Sequence, residues 1–283
     1  MRKYCDLHTH SYFSDGTLSP RELVERAEAI GLSHIALCDH NTTAGLGEFL
    51  AAAEGKAVAA IPAVELSCDW KDGEVHLIGM FLPEESYPEI EAAVDDMQRR
   101  KDRSNRELIE RLRTSGINID YTEILDRTKG HINRAHVSEA LVLGGYARDI
   151  KDAFSRYLKP HGKYYIPPKR LDLLDTVALI KRLGAVAVLA HPFVSLDGEG
   201  EVRELLEAAV PKGLDAAEVM YSTYDTDTEA RALSLIKEYG ILASGGSDYH
   251  GKRKPDIDLG VGRGGLAVPK ELALALGKQA KQP

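Results

Sequence analysis

Short apolar segments alternate with helical segments along most of the chain, and this rhythm limits the possible fold more than any other feature of the sequence. The apolar segments are predicted to be strands at 3–7, 33–37, 57–65, 74–81, 185–190, 216–220, 241–244 and 266–268. Repeated strand–helix units imply a parallel sheet, and this many units favour closure of the sheet into a barrel. We therefore predict an α/β fold built on a (β/α) barrel.

The rhythm changes between residues 82 and 167, where no segment has a clear strand pattern. One long charged helix is predicted over 87–115, followed by shorter helical segments and a loop. We interpret 96–167 as a small helical insertion domain that caps the substrate site. The barrel domain is then formed by 1–95 together with 168–283.

Composition restricts the class of protein. With 283 residues, 43% hydrophobic and 28% charged, the chain has the make-up of a globular protein. No apolar run approaches the roughly 20 residues that span a bilayer, and no signal region precedes the first strand.

Three widely spaced cysteines are typical of reduced thiols, so we expect a cytoplasmic protein. No feature indicates an obligate protein partner or a membrane partner. Because the net charge is −8, a polyanion has to be bound by a local basic patch or by metal.

Histidines and carboxylates follow the predicted strands. The first strand leads into His8, His10 and Asp15, and the later strands carry the other candidates, which are His40, Glu65, His76, His191, Asp248 and His250. A single strand histidine is more often an ordinary core residue, but parallel barrels collect functional groups at the carboxyl ends of their strands. A carboxylate such as Glu65 at the end of an apolar strand is costly unless it is paired or metal-bound. The joint pattern predicts a metal site.

The same residues carry a family resemblance over nearly the whole chain. The motifs are Asp6-Leu7-His8-Thr9-His10-Ser11, Ser14-Asp15-Gly16, Asp39-His40-Asn41, Glu65, His76, Ala190-His191-Pro192 and Gly246-Ser247-Asp248-Tyr249-His250. In order and spacing they resemble the PHP (polymerase and histidinol phosphatase) family of metal-dependent phosphoesterases. Cys38 is a departure, since the family often has threonine there. The resemblance implies a distorted seven-stranded (β/α) barrel with a helical insertion.

The resemblance also implies a cluster of two or three divalent metal ions. One ion would take His8, His10, Glu65 and Asp248; a second would share Glu65 and take His76 and His191; a third would take Asp15, His40 and His250. Manganese, iron and zinc all suit such nitrogen and oxygen ligands, and we favour manganese. A hydroxide that bridges two metals is the expected nucleophile, because metal binding lowers the pKa of water.

The insertion carries candidate substrate-binding residues, namely Arg134, His136, Lys163 and Tyr165. An arginine at a helix start is suited to phosphate, and a loop tyrosine can stack a base. An insertion with these segments resembles the nucleotide-directed branch of the family, whose members remove the 3′-phosphate from nucleoside 3′,5′-bisphosphates or trim short RNA from the 5′ end. The expected partner is a nucleotide or a short oligonucleotide.

Three alternatives remain open at the level of sequence. A histidinol-phosphate phosphatase would share the metal site and differ in substrate. A catalytically silent nucleotide-binding module would keep the barrel without the reaction, although no expected ligand position is missing here. A hydrolase of the amidohydrolase type would act on a carbon–nitrogen bond; the absence of a lysine among the ligand-bearing strand ends disfavours it.

Overall fold

The computed structural model describes residues 2–128, 132 and 134–280. The chain divides into two compact units: the barrel unit, Met1–Glu91 with Leu171–Pro283, and the insertion unit, Ala92–Arg170. The insertion predicted from sequence, 96–167, falls within the second unit.

The barrel unit is built on strands β1 (Asp6–Thr9), β2 (His34–Leu37), β3 (Ala59–Trp70), β4 (Gly73–Met80), β5 (Leu171–Asp172), β6 (Val186–Ala190), β7 (Ala216–Tyr221) and β8 (Leu242–Gly246). Seven strands follow one another in the order β1-β2-β3-β4-β6-β7-β8, and the short β5 pairs with β3. The two ends of this sheet meet, since the Asp248 N–H donates to the His8 carbonyl at 2.8 Å and the His10 N–H to the Tyr249 carbonyl at 3.0 Å. The predicted seven-stranded barrel is confirmed, and it is nearly closed.

Strand β4 runs antiparallel to both of its neighbours, β3 and β6. The prediction of an all-parallel sheet is therefore wrong at this strand. The turn that joins β3 to β4 has only two residues, Lys71 and Asp72, whereas a parallel return needs a crossover of a dozen residues or more. As a result, the amino-terminal half of β4 lies beside the carboxyl end of β6, with His76 opposite Ala190.

Two other strand predictions differ from the structure. Strand β3 continues to Trp70 because β4 pairs with its second half, so Glu65 lies inside the strand and not at its end. The segment 266–268 forms no strand. Its Val268 carbonyl accepts from the Cys5 N–H at 2.9 Å, and the next residue, Pro269, forms an isolated bridge with Tyr4.

The helices are α1 (Pro20–Ile30), α2 (Leu46–Ala53), α3 (Tyr87–Thr114), α4 (Tyr121–Arg127), α5 (Arg134–Leu143), α6 (Ile150–Arg156), α7 (Leu173–Arg182), α8 (Pro192–Ser195), α9 (Glu199–Ala209), α10 (Thr226–Tyr239) and α11 (Lys270–Gly277). Helix α1 shows how local sequence sets its bounds. The Ser19 hydroxyl accepts from the Glu22 N–H at 3.1 Å, the Glu22 carboxylate accepts from the Ser19 N–H at 2.7 Å, and Gly31 ends the helix at φ 80°.

Each unit has its own apolar core. In the barrel unit small and branched residues such as Leu7, Ala36 and Val188 fill the interior, and in the insertion unit Leu108 and Leu141 are fully buried. The three cysteines are buried free thiols. Among the described residues, no helix combines the length and the apolar character needed to cross a bilayer.

Candidate metal centre

The predicted metal ligands meet at one end of the barrel. Each of the nine places a side-chain nitrogen or oxygen within 3.3 Å of such an atom in another. Seven of them lie at or after the carboxyl ends of β1, β2, β6 and β8, whereas Glu65 lies within β3. His76 reaches the same rim because β4 is antiparallel. The structure therefore brings all nine side chains together; their role as ligands stays a prediction.

Glu65 is the centre of the cluster and is fully buried. Its Oε1 lies 2.9 Å from His76 and 3.1 Å from His191. Its Oε2 lies 3.1–3.3 Å from the imidazole nitrogens of three more residues, His8, His10 and His40. Burial alone would raise the pKa of Glu65, but the surrounding histidines hold it well below the usual value. A buried carboxylate with imidazoles on both oxygens is suited to bridge two cations.

Asp248 and Asp15 supply the remaining carboxylates. Asp248 Oδ1 lies 3.2 Å from His10 and 3.3 Å from His250, and Asp15 Oδ1 lies 3.1 Å from His250. Burial would lower the pKa of His10, but the carboxylates of Asp248 and Glu65 raise it to about 9. The carboxylates of Glu65, Asp248 and Asp15 thus lie at separate places in the cluster, each beside an imidazole.

Four overlapping groups of side chains have donor atoms close enough to hold an ion. They are His8, His10 and Asp248; His8, Glu65 and His191; His40, Glu65 and His76; and His10, Asp15, His40 and His250. The four groups share members and together include all nine candidate ligands. The division into three ligand sets that the family resemblance implies stays a prediction.

Several buried atoms of the cluster lack hydrogen-bond partners within the described part of the chain. They are Nε2 of His8, both ring nitrogens of His10 and Oε2 of Glu65. Although His8 Nε2 is 3.1 Å from Glu65 Oε2, the geometry is not that of a hydrogen bond. Burying polar atoms without partners is costly, and divalent cations would satisfy them. Imidazole and carboxylate donors in this number fit manganese, iron or zinc.

A second set of residues holds the candidate ligands in place, and sequence reasoning missed it. Glu218 is fully buried in β7; its Oε1 is 3.0 Å from His8 Nδ1, and its Oε2 accepts from the His191 backbone N–H at 2.7 Å. Because His8 Nδ1–H donates to Glu218, its Nε2 lone pair faces the cluster. The available signal was a lone carboxylate in an apolar strand, the same signal that marked Glu65.

Asp248 is also held from outside the cluster. The Tyr221 hydroxyl and the Lys254 ammonium each donate to Asp248 Oδ2 at 2.6 Å, which leaves Oδ1 facing the histidines. The backbone of Asp248 has φ 56° and that of His191 has φ 29°. Such values are uncommon for residues with a side chain and here they turn the chain sharply at two strand ends.

Asp39 organises the loop that carries Asp15. Its carboxylate accepts from the Ser11 N–H at 2.8 Å, from the Ser11 hydroxyl at 2.6 Å and from the Ser14 hydroxyl at 2.7 Å. The motif Ser11…Ser14-Asp15 thus has a direct physical explanation, because the serines position the loop and the aspartate faces His250.

A family model for the PHP domain matches residues 6–166 of this chain, which is more than half of its length. The chain belongs to the PHP family. The match includes His8, His10, Asp15, His40, Glu65 and His76.

Curated relatives in this family extend the likeness over most of the chain. A 5′-3′ exoribonuclease of Haemophilus influenzae is 32% identical over 88% of this chain and 91% of its own. A 3′,5′-nucleoside bisphosphate phosphatase of Chromobacterium violaceum is 29% identical over 90% of each. A phosphoribosyl 1,2-cyclic phosphate 1,2-diphosphodiesterase of Eggerthella lenta is 30% identical over 87% and 94%.

Solved structures share the whole fold. A metal-dependent phosphoesterase of Bifidobacterium adolescentis has a TM-score of 0.80 and 30% identity, covering 98% of this chain and 96% of its own. A C. violaceum protein described as an amidohydrolase, solved with sulfate and without metal, has a TM-score of 0.81 and 27% identity over 99% and 98%. Family and relatives together make this PHP protein a metal-dependent phosphoesterase, so the predicted enzyme class is confirmed.

The predicted substrate-binding residues of this PHP protein lie in the insertion unit. Arg134 begins α5, and its guanidinium lies 4.8 Å from the Tyr165 ring centroid. Tyr165 is buried in the core of the unit, which gives its ring a packing role. Lys163 is exposed, with its ammonium 4.9 Å from the centre of the Tyr164 ring. His136 is partly buried in α5. Substrate binding by Arg134, His136, Lys163 and Tyr165 stays a prediction.

Proposed function

We propose that this PHP phosphoesterase hydrolyses a phosphate monoester of a nucleotide, namely the 3′-phosphate of nucleoside 3′,5′-bisphosphates, with short 5′-phosphorylated RNA as a second substrate. The observation that carries the proposal is the cluster around Glu65, where nine candidate ligands meet. Two of the relatives described above are named for action on nucleoside bisphosphates and on RNA, which supports a nucleotide.

The nine side chains would hold two or three divalent ions. Such ions, when bound, lower the pKa of a coordinated water towards neutrality and neutralise charge on phosphate oxygens. Glu65 presents one oxygen to His76 and His191 and the other to three further histidines, so it is placed to be shared between ions. Glu218 keeps the His8 lone pair directed into the cluster.

The test is a phosphate-release assay on the purified protein reloaded with manganese. Adenosine 3′,5′-bisphosphate is expected to be hydrolysed, and His8→Ala is expected to abolish this. His34→Ala is the matched control, because His34 lies at the amino end of β2 and its imidazole Nδ1 contacts the Ser33 hydroxyl. Hydrolysis of histidinol phosphate, or opening of a cyclic phosphodiester to the monoester, with no hydrolysis of nucleotides, would overturn the substrate assignment.

We also propose that Lys163, a candidate substrate-binding residue, contacts a substrate phosphate. A charged hydrogen bond to phosphate contributes about 1.5–3 kcal/mol, so Lys163→Ala should raise KM for adenosine 3′,5′-bisphosphate by roughly 10-fold or more. Lys159→Ala, another exposed lysine nearby in sequence, is the control and should leave KM unchanged. Equal KM values for both variants and the wild type would remove Lys163 from the substrate site.

A further inference from the structure

Two exposed aromatic side chains stand beside the metal cluster without a role in it. Tyr12 is 51% exposed and Phe13 is 38% exposed. Their rings are stacked on each other, with centroids 4.8 Å apart and an angle of 26° between the planes. They lie in the chain between the candidate ligands His10 and Asp15, so an apolar stacking platform borders the site.

A basic turn borders the same site. It follows the candidate ligand His250, and its Lys252 and Arg253 are exposed. Neither side chain forms an ion pair with any residue that the structure describes. The two carboxylates further along this loop are already paired, Asp256 with Arg263 at 2.8 Å and Asp258 with Arg26 at 3.1 Å. The charges of Lys252 and Arg253 are therefore not neutralised by the carboxylates of their own loop, in a protein whose net charge is −8.

Direct contacts join the aromatic loop, 11–18, to the basic turn, 249–254. The Lys252 N–H donates to the Thr17 hydroxyl at 3.0 Å. His250 Nε2 lies 3.1 Å from Asp15 Oδ1. Lys254, the third cation of the turn, reaches inward to Asp248 Oδ2 at 2.6 Å. The loop that carries the aromatic rings and the turn that carries the two exposed cations are thus neighbours, and each also carries candidate metal ligands.

We propose that Tyr12, Phe13, Lys252 and Arg253 form a binding surface, which we call the rim surface, for a single-stranded oligonucleotide. Surfaces of this kind combine aromatic rings, on which bases stack for about 1–3 kcal/mol each, with cations that pair with phosphates. The Glu48 carboxylate lies 3.5 Å from the Tyr12 hydroxyl and disfavours a phosphate there. The exposed ring faces would therefore take a base, and the basic turn would take the phosphate.

The rim surface deepens the proposed function and rests on it, since it requires a nucleotide substrate. A nucleoside bisphosphate occupies the reaction centre alone, whereas the next nucleotides of an RNA have to leave the centre across its edge. The rim surface would hold those nucleotides. Hydrolysis of RNA is therefore expected to depend on these four residues, and hydrolysis of the nucleoside bisphosphate is not.

The binding test uses the manganese-loaded protein and a 5′-phosphorylated, 3′-fluorescein-labelled phosphorothioate hexaribonucleotide, followed by fluorescence anisotropy. Tyr12→Ala/Phe13→Ala and Lys252→Ala/Arg253→Ala are each expected to raise Kd at least 10-fold. The salt dependence of log Kd should also become shallower by about 1.4 in the second variant, since each phosphate contact on a single strand contributes about 0.7.

Control variants come from the opposite end of the barrel. Tyr4, which is 49% exposed and precedes β1, serves as Tyr4→Ala. Lys212 and Lys237, both exposed ahead of β7 and β8, serve as Lys212→Ala/Lys237→Ala. The controls should bind the oligonucleotide as the wild type does. Rim variants that also bind it as the wild type does would overturn the rim surface.

Hydrolysis assays distinguish a failure of the rim surface from a failure of the proposed function. Rim variants should lose at least 10-fold in kcat/KM on a 5′-phosphorylated hexaribonucleotide and less than 3-fold on adenosine 3′,5′-bisphosphate. Equal losses on both substrates would contradict an extended surface. If the wild type hydrolyses neither substrate, the proposed function fails, and the anisotropy measurement decides the rim surface by itself.

Discussion

Glu218 links two candidate ligands that come from different strands. One oxygen of its carboxylate contacts His8 Nδ1 and the other accepts the His191 N–H. Both ligands are buried, so neither N–H can turn to water instead. The metal affinity of a site depends on such hydrogen-bond partners, because they fix which imidazole nitrogen carries the lone pair.

Replacing Glu218 by glutamine tests this arrangement. The amide has one oxygen, so an NH₂ group must face either His8 or His191 and leave one N–H without an acceptor. We expect Glu218→Gln to lower manganese affinity by about 10- to 100-fold, measured by calorimetric titration of the metal-free protein. Glu25→Gln on the exposed side of α1 is the control. Unchanged affinity in Glu218→Gln would contradict the positioning role.

Most candidate ligands could be predicted from the sequence because they lie within an apolar strand or shortly after one, where polar residues are conspicuous. The residues around them were harder to predict. Tyr221 and Lys254 both contact Asp248, yet tyrosines and lysines are common in such segments. Their partner is known only when β7 and the segment after β8 are placed side by side, and local sequence does not contain that information.

At the scale of elements, the closure of the barrel between β1 and β8 positions His8 and Asp248. Gly246 ends β8 beside the backbone of His8, and a Cβ on Gly246 would meet the His8 nitrogen at 2.5 Å. The atoms in the way are backbone atoms and a Cβ, which cannot move aside without moving β1. This glycine is therefore needed for close approach of the two strands.

Gly246→Ala should separate β1 from β8. We expect it to destabilise the protein by about 1–3 kcal/mol, as overpacking does in well-packed cores, and to weaken manganese binding. Gly47→Ala is the control: Gly47 lies in α2 with nothing within 4 Å of an added Cβ, so it should stabilise by roughly 0.5–1 kcal/mol. Chemical denaturation measures both, and a stability of Gly246→Ala equal to that of the wild type would contradict the close packing.

Strand β4 shows where element prediction fails. The length of the turn at Lys71-Asp72 indicates a hairpin, but it does not say that the next strand in the sheet, β6, will be antiparallel as well. That pairing follows from the return of the chain after the insertion. It matters for function, because only an antiparallel β4 brings His76, four residues into the strand, to the rim.

At the scale of the whole molecule, bound metal should stabilise the fold. Ligands present at a thousand times their dissociation constant stabilise the native state by about 4 kcal/mol. For a domain of this size that corresponds to a rise in Tm of roughly 8–16 °C. Thermal unfolding with manganese and with a chelator measures the difference. His10→Ala should reduce it, and equal Tm values for the wild type in both conditions would contradict a structural contribution from metal.

The metal content of the purified protein is the decisive measurement, since the proposed function depends on metal bound at the cluster around Glu65. Elemental analysis by mass spectrometry should find two or three divalent ions per chain, and fewer in Glu65→Gln because that carboxylate faces five histidines. Phosphate release at full rate by a protein with less than one ion per chain would show that the reaction does not depend on metal at this cluster.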